Sequence, residues 1–187
     1  RHYKIKIKAL GEHMVYNTLA AIAVAEYYKL SEAEILKGLS SYEPTKMRMQ
    51  ISVLKNGLTV MNDTYNASPD SMKAALKVLK AYVSKGRKVA VLGDMFEMGD
   101  FAPKLHQEVG EFASSIGIDL LIAVGSLAKH IELGYQEAGG KAVYYFETKE
   151  AFMKAMQGIF QKEDCVLFKA SRGMHFETLV EEVGKVK

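Results

Sequence analysis

Val89-Ala90-Val91-Leu92, Leu120-Leu121-Ile122-Ala123-Val124, Val143-Tyr144-Tyr145-Phe146 and Val166-Leu167-Phe168 are four short apolar runs separated by helical patterns. Runs of this length without polar alternation read as strands buried on both faces. Three apolar stripes recur at helical spacing: Met72, Ala75, Leu76, Leu79 and Val83; Leu105, Val109, Phe112 and Ile116; and Phe152, Ala155, Met156, Ile159 and Phe160. Such Met and Phe stripes are core material rather than a cofactor box.

Strands alternating with helices make βαβ units, which predicts a Rossmann-like α/β domain: a mainly parallel sheet with helices on both faces. Ahead of it, Ile51-Ser52-Val53-Leu54 and Leu58-Thr59-Val60-Met61 flank Lys55-Asn56-Gly57. Asn-Gly between apolar runs is a strong hairpin signal, so an N-terminal β-hairpin should add an antiparallel edge. Gly86 and Gly117 stand where left-handed helix C-caps belong.

The style changes near residue 46. Residues 3–9 alternate polar and apolar, as a half-buried strand does. Residues 15–28 are apolar and Ala-rich and read as a buried helix. Ser31 and Glu34 form a capping-box pattern that starts a second helix, running to about Tyr42. Pro44-Thr45 then breaks the pattern, which divides the chain into residues 1–48 and 49–187.

With 187 residues, 49% of them hydrophobic, the chain can bury a core and is no disordered tail. Its formal net charge of +3 is too mild to imply a nucleic-acid or membrane-surface partner. The single cysteine, Cys165, permits no internal disulfide and reads as a small buried hydrophobe in a reduced, cytoplasmic setting. No apolar stretch reaches the roughly 18 residues of a membrane span. The first residue is Arg1 rather than Met, which sets the expectation of further residues upstream.

Ligands of open α/β sheets collect outside the carboxyl ends of the strands, so the loops there carry the chemistry. Asn62-Asp63-Thr64-Tyr65-Asn66-Ala67-Ser68-Pro69 follows the hairpin. Ser68 and Pro69 are explained as the cap and first position of a helix. Capping does not account for Asp63, Tyr65 and Asn66. A carboxylate there could hold ribose hydroxyls and an amide could read a base or peptide; ordinary turn chemistry stands equally well. In Gly93-Asp94-Met95-Phe96-Glu97-Met98-Gly99 two glycines bracket two carboxylates, which could bind a metal weakly, with no second cluster of ligands nearby, and equally well orient a cationic or amine-bearing substrate. In Lys169-Ala170-Ser171-Arg172-Gly173-Met174, two cations flank a serine where a strand gives way to a helix, an arrangement that favours an anion.

Absences narrow the field. No G-x-G-x-x-G follows a strand, and neither G-x-x-x-x-G-K-[ST] nor G-x-S-x-G occurs. The five histidines form no H-x-H or H-E-x-x-H pair and read as structural or surface residues.

The three loops, together with Gly11-Glu12-His13-Met14-Val15-Tyr16-Asn17, closely resemble the motifs of the Mur ligase family, in the same order and across nearly the whole chain. The resemblance implies that residues 1–48 are the end of a central ATP-binding domain and 49–187 the family's C-terminal domain. It implies an ATP-dependent amide ligase of cytoplasmic peptidoglycan precursor synthesis. ATP would phosphorylate the terminal carboxylate of UDP-N-acetylmuramoyl-tripeptide, and the amine of D-alanyl-D-alanine would displace the phosphate. Asn17 would contact adenine, Arg48 the ATP phosphates and Asp63 the ribose. Tyr65, Asn66, Asp94, Ser171 and Arg172 would face the peptide substrates. Met14 departs from the family's usual Asn. Mg2+ ligands and the phosphate-binding loop are expected upstream of this chain, so the chain alone is expected to be inactive. Two alternatives are a carboxylate-amine ligase of the folylpolyglutamate synthase kind and a non-catalytic nucleotide- or peptide-binding module.

Overall fold

Asn56 and Gly57 turn the chain between β1 (Gln50–Val53) and β2 (Thr59–Asn62), an antiparallel pair with Ile51 opposite Met61. In the computed structural model, which describes residues 2–185, this hairpin forms one edge of a six-stranded sheet. The other strands are β3 (Lys88–Gly93), β4 (Leu120–Val124), β5 (Val143–Phe146) and β6 (Cys165–Lys169), in the order β1-β2-β6-β3-β4-β5. Every pairing after the hairpin is parallel. The expected architecture, a parallel sheet with an antiparallel hairpin edge, is the one observed.

Successive strand residues point to opposite faces. Ala90, Leu92, Leu121, Ala123, Cys165 and Leu167 therefore pack on one side, against α3 (Pro69–Ala81), α4 (Ala102–Ser115) and α5 (Lys129–Glu137). Val89, Val91, Ile122, Val124, Val166 and Phe168 pack on the other, against α6 (Lys149–Ala155) and α7 (Glu177–Val183). Burial on both faces explains why β3, β4 and β6 are apolar without alternation. Cys165 is buried and free, and burial raises its thiol pKa, consistent with the role of a small hydrophobe.

The chain divides into two compact units, Arg1–Thr45 and Lys46–Lys187. This boundary lies three residues before the expected one and places Arg48 in the second unit. In the first unit α1 (His13–Tyr27) and α2 (Glu32–Ser40) follow an extended segment. The Ser31 and Glu34 capping box is formed in both directions.

Several expectations are corrected. Residues 3–9 alternate in burial, as anticipated, but do not form a strand, and among the described residues they pair with none of the strands of the sheet. Helix α1 is not buried: Ile22 is its sole buried residue, and Val15, Tyr16, Leu19, Val24 and Tyr27 are exposed. Val83 does not continue the α3 stripe. The helix ends at Ala81, Tyr82 turns to an extended conformation, and Val83 is 95% exposed. The buried face of α4 is rotated toward Ala102, His106, Val109, Gly110 and Ala113. Gly117 is a left-handed cap with φ +71°, but Gly86 has no positive φ. Gly86 is small for another reason, since a Cβ there would lie 2.2 Å from the Glu163 carbonyl oxygen.

Candidate functional site

The carboxyl ends of β2, β6 and β3 lie side by side, and the three loops singled out by sequence leave from them. Ser68 caps α3 with Pro69 in its first turn, so the chain must leave β2 and turn within residues 63–67. Asp63 sits at the bend. Its N–H donates to the Phe168 carbonyl, Oδ1 accepts from the Met49 N–H at 3.0 Å, and Oδ2 is 2.6 Å from Nζ of Lys169. A carboxylate has about four lone-pair sites. Two are used here and the side chain stays 12% exposed, which leaves capacity for hydroxyl donors.

Tyr65 and Arg48 form a second pairing in the same place. The guanidinium of Arg48 lies 4.2 Å from the ring centroid of Tyr65, whose N–H donates to the Met47 carbonyl at 3.1 Å. Met47 and Met49 both have positive φ, 60° and 47°, a conformation that residues with a Cβ seldom adopt and that needs outside support. Tyr65 and Asp63 supply that support through those two hydrogen bonds. Arg48 therefore projects from a strained turn clamped on each side, with its charge exposed. Arg172, also exposed, donates to Glu177 at 2.9 Å and approaches the Met47 sulfur at 3.3 Å. Asn66 is exposed and folds its side chain onto the Ala67 N–H.

Asp94 and Ser171 differ from this group. They are 5% and 4% exposed, and their polar atoms face inward. Asp94 Oδ1 accepts from the Ala128 N–H at 2.7 Å, its carbonyl accepts from the Ser171 N–H, and Ser171 Oγ accepts from the Phe96 N–H. These two residues tie the loops after β3, β4 and β6 together. Burial raises the carboxyl pKa of Asp94, and the Ala128 N–H opposes that rise.

Asn17 belongs to the first unit. It is exposed on α1, approaches the Met14 sulfur at 3.5 Å, and lines a groove of about 350 Å³ with Ile7, Met14, Leu30 and Ile35. Among the described residues no three His, Cys, Asp or Glu side chains converge as a metal-binding group.

Two buried groups take roles that the sequence does not show: Lys169, expected to help hold an anion, is internal, and His106 reads in the sequence only as structural or surface. Lys169 is 2% exposed at the end of β6, and burial lowers its ammonium pKa against the pull of Asp63. The available signal was its place directly after a buried strand, since a lysine there must find a partner. His106 is the other. Its Nδ1 lies 2.7 Å from the Ala102 carbonyl, which can only accept, so Nε2 is the bare nitrogen that takes the Met95 N–H at 2.8 Å. The ring is thus neutral, with its pKa lowered by burial.

A pH effect follows from His106. Because its folded pKa lies below the unfolded value of about 6.5, the unfolded chain binds the proton first. Stability should fall as pH drops below that value, with a slope of up to about 1.4 kcal/mol per pH unit from this group. His106→Gln keeps an acceptor for Met95. Urea melts between pH 7.5 and 5 should show a shallower decline in the variant, and equal slopes would show that His106 is not the titrating group.

The comparisons with known proteins agree with this geometry. Residues 47–172 match the family model described as Mur ligase, glutamate ligase domain. Over 190 residues the chain is 37% identical to UDP-N-acetylmuramoyl-tripeptide--D-alanyl-D-alanine ligase of Bacillus subtilis (strain 168), covering 97% of this chain and 42% of that one. Among solved structures it is similar to MurF from Acinetobacter baumannii, with a TM-score of 0.84, 31% identity, and coverage of 97% and 39% of the two chains. It also matches the MurF ligase from Thermotoga maritima, solved in complex with ADP, at a TM-score of 0.78 and 25% identity over 98% and 40% of the chains. The chain thus spans about two-fifths of the length of these relatives. No helix among the described residues is long and apolar enough to cross a membrane. From residue 47 onward the motif loops, the sheet order and the sequence all lead to one conclusion: the chain belongs to the Mur ligase family.

Proposed function

We propose that this chain serves an ATP-dependent amide ligase that joins D-alanyl-D-alanine to UDP-N-acetylmuramoyl-tripeptide in cytoplasmic peptidoglycan precursor synthesis. The observation that carries this reading is the 37% identity, over 97% of the chain, to a ligase of that name. The geometry of the second unit supports it. Arg48, raised on a clamped turn, is the group proposed to meet the ATP phosphates and to stabilise the charge that develops during acyl transfer. Asp63 is proposed to hold the ribose hydroxyls, with Asn17 of the first unit at the adenine.

Tyr65, Asn66 and Arg172 are the proposed contacts for the peptide substrates. Asp94 and Ser171, assigned by resemblance to the same role, are proposed to act from beneath by holding the loops that carry it. The carboxylate of the tripeptide attacks the γ-phosphorus of ATP and releases ADP. The dipeptide amine then attacks the acyl carbon of the resulting acyl phosphate, and phosphate leaves as the amide forms. Magnesium would supply charge neutralisation at the nucleotide phosphates in such a reaction, but the described residues offer it no set of ligands. No step in this chain is assigned to it.

Phosphate release by the ligase that carries this chain tests the reading. Turnover should require both UDP-N-acetylmuramoyl-tripeptide and D-alanyl-D-alanine, and glutamate should not replace the dipeptide. Turnover with a folate and glutamate, and none with the dipeptide, would move the chain to the folylpolyglutamate synthase branch.

A further inference from the structure

We propose that Lys169 is a positioning residue, which fixes the carboxylate of Asp63 and the 63–66 loop in the conformation that receives the nucleotide sugar. The proposal rests on the reading of Asp63 as the ribose-holding group. The side chain of Lys169 rises from the last residue of β6 and makes two hydrogen bonds, to Asp63 Oδ2 at 2.6 Å and to the Asn66 carbonyl at 2.9 Å. Asp63 Oδ1 in turn accepts from the Met49 N–H at 3.0 Å. One buried ammonium thereby joins the end of β6, the loop after β2 and the turn that presents Arg48.

The bonds of Lys169 do more than fill a place in the core. The rest of β6 is Cys165-Val166-Leu167-Phe168, all buried and apolar. Replacing a whole buried ion pair by apolar residues is often neutral for stability, whereas removing one partner alone is costly to the extent that the other stays buried. Asp63 lies at the open end of the sheet with part of its side chain in solvent, so water could serve it in the absence of Lys169. Water would not fix it. A carboxylate freed on one side can rotate about its terminal bond, whereas the two-point hold from Lys169 and Met49 orients both oxygens. Lys169 itself is 2% exposed and cannot meet a ligand, so any effect on nucleotide use must pass through the groups it holds.

The test compares ATP with 2′,3′-dideoxy-ATP in the ligase that carries this chain. Wild type should prefer ATP in kcat/KM by about ten-fold or more, the scale of hydrogen bonds to a charged group. Lys169→Met should cut that preference to about two-fold, raising KM for ATP more than it lowers kcat, at a temperature where thermal melts show the variant to be folded even if its midpoint is lowered. Asp63→Ala should abolish the preference as well, and adding Lys169→Met to it should change the preference no further. Lys169→Gln, which keeps a neutral N–H donor, should retain an intermediate preference and serves in place of Lys169→Met should that variant not fold. A lost preference in Asp63→Ala but a full one in a folded Lys169 variant overturns the positioning role alone. A preference that survives Asp63→Ala overturns the reading of Asp63, and the positioning role with it.

Discussion

Arg48→Ala should lower turnover of the ligase by about 10²- to 10³-fold, the usual loss on removing one group that stabilises transition-state charge. The fold should barely respond. Arg48 is exposed, and its one aromatic contact is the Tyr65 ring at 4.2 Å. An exposed cation–π pair is worth roughly 0.5–1 kcal/mol. For a chain of this size that corresponds to a drop of no more than about 4 °C in Tm. Arg48→Lys keeps the charge but loses the planar fork and its stacking, so it should recover only part of the activity. Steady-state phosphate release with paired thermal melts gives the answer. Unchanged kcat in Arg48→Ala would remove this residue from the ATP side of the site.

Gly110→Ala should destabilise the second unit by about 3 kcal/mol or more, at the upper end of overpacking costs. Helix propensity alone gives the opposite sign, because Ala is favoured over Gly in a helix interior by about 1 kcal/mol. The reason lies in the contact between α4 and α5. A Cβ on Gly110 would sit 2.0 Å from the Ile131 carbonyl oxygen, and one on Gly134 would sit 2.2 Å from the Gln107 carbonyl oxygen. Both obstacles are backbone, so neither can swing aside, and the helices would have to part. Gly38 in α2 is the internal comparison: a Cβ there meets nothing within 4 Å. Gly38→Ala should be neutral or stabilising, by up to about 1 kcal/mol. Urea melts of the two variants should therefore move in opposite directions, and a stabilised Gly110→Ala would show that the helices are not in backbone contact.

Much of this fold is legible in the amino-acid sequence because the sheet is buried on both faces. Val89–Leu92 and Val166–Phe168 carry no polar residue that could confuse a strand with a loop, and Asn56-Gly57 marks its hairpin unaided. Periodicity reports which face is covered, not what covers it. Residues 3–9 have the alternation of a strand without a neighbouring ladder. The apolar residues of α1 gave no sign that Ile22 alone would be buried within this chain. Counting apolar residues also misjudged α4, whose inner face includes His106 and Gly110, a polar ring and a residue without a side chain.

The site was legible as three loops and less so as roles. Asp63, Tyr65, Arg48 and Arg172 gather at one end of the sheet. Asp94 and Ser171 lie in equally polar loops but turn inward, and nothing in their local sequence sets that direction. Lys169 reads as a cation for a ligand until its burial and its bond to Asp63 show it to be internal.

The proposed chemistry is tested most directly by oxygen transfer. UDP-N-acetylmuramoyl-tripeptide labelled with 18O in its terminal carboxylate is incubated with ATP, D-alanyl-D-alanine and the ligase that carries this chain, and the released phosphate is analysed by mass spectrometry. If the carboxylate is phosphorylated before the amine attacks, one labelled oxygen leaves with each phosphate as the amide forms. Phosphate released without label, in step with amide formation, would contradict the acyl-phosphate route.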